Sequence, residues 1–177
     1  MTVRAHKPEF NFREKLKELD YAHVPYEKMP LGSVVQVATQ RATTSQTVSV
    51  NSWTALTGMN LDFYLRYPDS KIWINVMSHY YVQSSSTAPA WTGANYKLHS
   101  SVHGDLISDP DYGNAHYIGD TAERYMGYRN FSFTHIPNAN ELRYTVYVKC
   151  HTSNAGIQFH RSDYGMQGLI TVMEIRQ

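Results

Sequence analysis

Leu142-Arg-Tyr-Thr-Val-Tyr-Val-Lys149 decides the fold class. Leu142, Tyr144, Val146 and Val148 fall on one side of an extended chain, and Arg143, Thr145, Tyr147 and Lys149 on the other. That period of two belongs to a strand with one buried and one wet face. The same period runs outward in both directions. Toward the C-terminus, Ile157 and Phe159 start a short strand and Leu169–Ile175 forms the last. Toward the N-terminus, Tyr128–His135 sets Phe131 and Phe133 on one face. Ile72, Ile74 and Val76 alternate with Trp73, Asn75 and Met77, and Leu61, Phe63 and Leu65 with Asp62, Tyr64 and Arg66. Ser33–Gln40 and Ser45–Val50 read as short strands, and Asn95–His103 and the region of Tyr117 as further ones. Eight to ten short strands at regular spacing predict an all-β sandwich or barrel, and eight in two sheets a jelly roll. Ser84–Ala94, Asp105–Ala115 and Ser162–Gly168 are rich in Gly, Pro, Asn, Asp and Ser and read as loops. Each carries an aromatic residue: Trp91, Tyr112 and Tyr164.

Composition agrees. The 177 residues include only 37 Leu, Ile, Val and Phe, but 14 Tyr, 3 Trp and 7 Met. Tyr, Thr and Val suit a pleated, half-buried surface. One cysteine excludes an internal disulfide and a zinc site built on several thiolates. The formal charge of +1 gives no electrostatic case for nucleic acid or an anionic membrane. No apolar run approaches a membrane span, and the polar N-terminus shows no signal-peptide pattern, so folding in a cytoplasm is expected.

The charge is unevenly placed. Residues 1–30 hold 11 of the 31 charged side chains, while residues 31–65 hold only Arg41 and Asp62. Pro25 and Pro30 bracket the change and favour an extended connection. We therefore divide the chain into an arm, 1–30, and a β-domain, 31–177. The arm has the one good helix signal. Asn11 caps with Glu14 three residues on, and Phe12, Leu16 and Leu19 form one stripe. A helix this short is marginal alone and needs a surface to dock on. Phe10, Phe12, Leu16 and Leu19 are the predicted docking residues, each worth roughly 1.5–3 kcal/mol when fully buried.

Catalytic chemistry finds little footing. His99 and His103 lie about 13 Å apart on one strand face and cannot share an ion unless the strand bends. His151 follows Cys150 on the opposite face, which suits an inert buried thiol better than a nucleophile and its base. Asp109 and Asp111 flank Pro110 in a turn-rich loop, and no Gly-rich phosphate loop precedes a helix. No catalytic residue, cofactor or metal is predicted. The aromatic excess is more informative. Tyr64, Tyr80, Tyr81, Trp91 or Tyr112 could line a subunit interface or a saccharide surface, because each pairs an apolar face with a polar tip.

Several stretches resemble a group of marine bacteriophage structural proteins. These are Gly32-Ser-Val-Val-Gln-Val37 behind a Pro, Ile118-Gly-Asp120, Tyr144-Thr-Val-Tyr-Val148 and the closing Leu169-Ile-Thr-Val-Met-Glu-Ile175. Asn11–Leu19 with Val24-Pro-Tyr-Glu-Lys-Met-Pro30 is similar to their attachment segment. The resemblance implies a tail-fibre, knob or capsid-decoration protein with a jelly-roll domain, assembled as a homotrimer in the bacterial host cytoplasm. It implies that residues 1–30 bind other virion proteins and that Trp91, Tyr112 and Tyr164 face a receptor, such as a host surface glycan. Long fibres have shafts and this chain has none, which favours a short knob or a decoration protein. The alternatives are a carbohydrate-binding jelly-roll module and, less favoured, a glycan hydrolase using a loop carboxylate such as Asp109 or Asp111.

Overall fold

The computed structural model describes residues 28–49, 52–83, 90–109, 115–118, 124–150 and 156–177. The predicted arm helix, with Phe10, Phe12, Leu16 and Leu19, lies outside them, as do Tyr112 and Asp111. The described residues are almost wholly β, in two facing sheets: a β-sandwich. The strands are β1 (Val34–Ala42), β2 (Gln46–Val48), β3 (Thr54–Tyr64), β4 (Lys71–Gln83), β5 (Ala90–Ser100) and β6 (Gly104–Ser108). They continue with β7 (Ala115–Ile118), β8 (Arg124–His135), β9 (Glu141–Cys150), β10 (Ile157–Phe159) and β11 (Gly168–Ile175).

Two expected loops are partly strand. Ala90–Ala94 belongs to β5, and Gly104–Ser108 forms β6. Their Gly, Ala and Ser residues give no period-two signal, and it is pairing with β7, β9 and β5 that holds them extended. Ser162–Tyr164 is a single 3-10 turn closed by Gly165 at φ 66, a conformation glycine adopts without strain.

The first sheet is organised by the 13-residue β4. One of its edges carries β11 and then β10, and the other carries β8 along Ile72–Gln83. β1 lies outside β11, and β2 outside β10. The second sheet runs β3-β9-β5-β6, with β7 on the start of β5. If the short β2, β7 and β10 are set aside, eight strands remain in chain order. The first pairs with the last (β1 with β11), the second with the seventh (β3 with β9), the third with the sixth (β4 with β8), and the fourth with the fifth (β5 with β6).

The alternation read from sequence becomes the core. Leu142, Tyr144, Val146 and Val148 point inward to meet Ile72, Ile74, Val76, Ile170 and Val172 from the facing sheet, all essentially inaccessible. Few aliphatics are available, so tyrosines fill the middle. Tyr96 and Tyr144 are fully buried, and each hydroxyl has a partner: Ser78 Oγ at 3.2 Å and His135 Nε2 at 2.8 Å. Burial pushes both phenols well above their ordinary pKa. The outward residues of the first sheet lie in register as rows across β1, β11, β4 and β8. Val37, Met173, Trp73 and Thr134 form one row; Thr39, Thr171, Asn75 and Ser132 the next; Arg41, Leu169, Met77 and Asn130 the third.

Candidate functional site

The outward face of the second sheet gathers the chemistry. β9 alternates so that Glu141, Arg143, Thr145, Tyr147 and Lys149 leave the core, and the register sets Tyr64 beside Glu141 and Asp62 beside Arg143. The Arg143 guanidinium grips the Asp62 carboxylate through two bonds of 2.6 and 2.8 Å. The Arg143 bond holds the Asp62 pKa below its ordinary value, and Asp62 in turn raises that of Arg143. Tyr64 OH donates to Glu141 Oε1 at 3.1 Å, and this bond raises the Tyr64 pKa. Tyr64 is 62% exposed. Together with Ser101 and Leu142, these residues line an open depression of about 540 Å³.

Further along the same face, cations lie over aromatic rings. Lys97 Nζ stands 5.1 Å from the Trp53 ring centre and 5.0 Å from that of Tyr147, and Lys149 Nζ 4.9 Å from Trp53. Asp105 ties this group to β6. It accepts from Lys97 at 3.2 Å and pairs with His99 Nδ1 at 2.8 Å, and the His99 bond lowers its pKa. Flat aromatic surfaces beside fixed donors and acceptors can hold a hydroxyl-rich ligand by stacking and paired hydrogen bonds.

Of the predicted receptor residues, Tyr112 lies outside the described residues. Trp91 lies in β5, paired with Tyr117 of β7, rather than in a loop. Tyr164 lies in the 3-10 turn, half exposed, its ring stacked on Tyr81 at 5.7 Å. Arg161 covers both rings at 4.6 and 4.4 Å and is held by Asp163. The Asp62–Arg143 pair and the Trp53–Lys97 contact were missed at the sequence level. They join residues 81 and 44 positions apart, and nothing in a single strand's alternation reports its neighbour's register.

Several residues weighed for catalysis have structural partners. Asp109 accepts from the Tyr96 backbone N–H at 2.9 Å and from Arg129 at 2.7 Å. Cys150 Sγ donates to the Val48 carbonyl, and burial pushes its thiol up to about 11. His103 Nε2 meets the Pro137 carbonyl at 2.8 Å. Ser78 Oγ and His160 Nε2 lie 3.0 Å apart, but both residues are fully buried, so this pair belongs to the core. Among the described residues no three His, Cys, Asp or Glu side chains converge as metal ligands.

No protein-family model and no curated protein matches this chain. Among solved structures it is similar to latent PorU of Porphyromonas gingivalis, at 10% identity and TM-score 0.36 over 83% of this chain and 14% of that one. It is also similar to structures of two strains of infectious bursal disease virus. The Gx strain gives 14% identity and TM-score 0.36 over 80% of this chain, and the Gt strain 11% and 0.34 over 81%. The chain spans 37% of each viral chain, well under two thirds of the length of any of the three.

Proposed function

We propose that this chain is a virion structural protein of a bacteriophage: a jelly-roll knob, 31–177, joined to the particle by its N-terminal arm, 1–30. One observation carries the reading. The nested pairing of first with last, second with seventh, third with sixth and fourth with fifth strand is what results when a long antiparallel hairpin is rolled up. Rolled eight-strand sandwiches of this kind build viral capsid domains and lectins. That link is by fold analogy, and the sequence resemblance to phage structural proteins supports the same class. In this reading the chain binds rather than catalyses. It forms a homotrimer, is assembled in the host cytoplasm and decorates the particle or adheres to the host surface. Phe10, Phe12, Leu16 and Leu19 dock the arm on a neighbouring virion protein, and three arms per trimer multiply the avidity.

The test uses the full chain with Leu16→Asp and Leu19→Asp together. The variant should fold and keep the trimer mass by light scattering, yet fall at least tenfold in purified particles as measured by quantitative mass spectrometry. Normal incorporation would sink the arm reading, and a monomer at micromolar concentration the trimer.

The depression at Asp62, Tyr64, Glu141 and Arg143 favours a second reading, saccharide binding by the second sheet. An exposed ring beside a bidentate ion pair matches what a sugar ring and its hydroxyls need. On a glycan array, Tyr64→Ala should lose at least tenfold of any signal given by the parent. Retention of the signal would place binding elsewhere, with the loops carrying Trp91, Tyr112 and Tyr164 next to be changed.

A further inference from the structure

β8 differs from the other edge strands. It pairs with β4 along all 12 of its residues in unbroken register, and among the described residues no strand pairs with its other side. The remaining edges are blunted. β1, β3 and β6 each meet their neighbour across a register break, and β2 and β7 have only 3 and 4 residues. Such breaks twist an edge away from further pairing, whereas a long regular edge invites it.

The register shows which backbone groups point off this edge. His79 directs both of its main-chain groups away from β8: its N–H donates to the Gln167 carbonyl at 3.3 Å, and its carbonyl accepts from the His160 N–H at 3.2 Å. Tyr128, opposite His79, therefore makes no main-chain bond to β4 and turns its N–H and C=O outward. Alternation extends this to Met126, Asn130, Ser132 and Thr134. Among the described residues no backbone group meets these five, and their side chains are exposed and uncharged. Extended backbone of this kind is complemented by another extended chain.

We propose that the edge pairs with β8 of a second copy of this chain, antiparallel about a twofold axis at Phe131, so that the first sheet continues across the pair. Among the described strands no other offers an unbroken free edge of this length. In that register the strand is its own complement. Met126 and Ile136, 59% and 46% exposed, stand at opposite ends and equally far from Phe131. The axis sets Met126 beside Ile136 of the partner subunit, and Pro137 favours an extended Ile136. Tyr128, 70% exposed, meets Thr134 of the partner subunit, an aromatic on a β-branched residue. Asn130 meets Ser132 of the partner subunit. Each such pair exchanges two main-chain hydrogen bonds, about eight between Tyr128 and Thr134 alone. Arg129, already bonded to Asp109 at 2.7 Å, faces Phe133 of the partner subunit, not a second Arg129. Phe131 and Phe133, partly buried against the core at this open edge, are covered by the same contact. The pairing does not depend on the virion reading, and it coexists with a threefold axis through another surface.

Sedimentation equilibrium of the full chain at about 10–200 µM tests it, a range suited to a contact smaller than the standard interface. The expected result is an even-numbered assembly, a dimer or a hexamer, that halves in mass in Ser132→Pro. The Ser132 N–H points off the edge, so proline there leaves the pairing with β4 intact. Asn130→Lys, a charge on the edge, should do the same, and circular dichroism should match the parent for both. Amide exchange by NMR gives an alternating signature. The N–H groups of Tyr128, Asn130, Ser132 and Thr134 should exchange about tenfold more slowly in concentrated than in dilute parent, while those of Arg129, Phe131 and Phe133, bonded to β4, stay unchanged. An odd-numbered or monomeric parent, or a mass unchanged in both folded variants, overturns the proposal. So does a monomer in which the four amides are already protected, which would assign the edge to another segment of this chain. A trimer that fails to pair rejects this contact while leaving the threefold reading intact.

Discussion

Replacing Glu174 with Ala should lower the unfolding free energy by about 3–5 kcal/mol. Glu174 is fully buried on β11, one residue from the end of the last strand. Its Oε2 accepts from the Gln36 side-chain amide at 2.6 Å and from the Arg66 backbone N–H at 3.1 Å, and Oε1 accepts from the Tyr67 N–H at 2.9 Å. The same Gln36 amide nitrogen lies 2.6 Å from the Tyr64 carbonyl of the other sheet. One carboxylate therefore fixes the turn between β3 and β4, orients β1 and ties the two sheets at their shared edge. Alanine would leave the part-buried Arg66 and Tyr67 N–H groups without their acceptor, at up to about 1–3 kcal/mol each, and remove the charge that strengthens their bonds. Glu174→Gln keeps one acceptor oxygen and should lose roughly half as much. Urea unfolding with an unchanged m-value measures the difference. A loss below about 1 kcal/mol for Glu174→Ala would mean that the turn is held by other contacts.

Acid should weaken the fold from pH 6.5 downward through two buried histidines. His160 is fully buried, with Nε2 on Ser78 and Nδ1 without a partner among the described residues. Burial, and then the charge of His79, lowers its pKa to about 4. His135, bonded to Tyr144 OH, is lowered to about 4 by burial and by His103. The folded chain thus holds both rings neutral while the unfolded chain protonates them. Above pH 6.5 both states are neutral and no stability depends on them. As pH falls from 6.5 to 4 the unfolded state gains protons first, and stability drops by about 3 kcal/mol for His160 alone. Below pH 4 the folded state protonates as well and this loss levels off. The exposed Asp62, Asp105 and Asp163 have lowered pKa values, so their contribution is lost only below about 3.8, in a separate window. His160→Asn suits the position's φ of 50° and removes the titrating ring. Its urea midpoint should fall roughly half as steeply between pH 6.5 and 4.5 as that of the parent. An equal slope would assign the acid sensitivity to other groups.

Most strands were legible because alternation reports burial directly. Leu142–Val148, Ile72–Val76 and Leu169–Ile175 read as strands and form the centre of the sandwich. The misread stretches fail for a common reason. Ala90–Ala94 and Gly104–Ser108 are extended by their neighbours, not by their own residues. Gly58, at φ 76 where the β3 register breaks between Ala55 and Asn60, hides the start of β3 in the same way: the period skips there, so Leu61–Leu65 alone showed. The Met-Glu-Ile ending stood out in sequence, yet the turn whose N–H groups bind its glutamate is set only by the folded chain.

The sequence by itself determined the all-β class, the inward faces of Leu61–Leu65, Ile72–Val76 and Leu142–Val148, and the contrast between a charged arm and a sparsely charged domain. These are one-dimensional properties, because burial and charge alternate along a single strand. Tertiary structure alone decided which strands neighbour each other and in what register. That choice brings Asp62 to Arg143, Lys97 to Trp53 and Gln36 to Glu174. It also sets Val37, Met173 and Trp73, from three strands, side by side in one outward row. Register arises from pairing between segments up to 141 residues apart, as from Val34 to Ile175, so no local pattern can carry it.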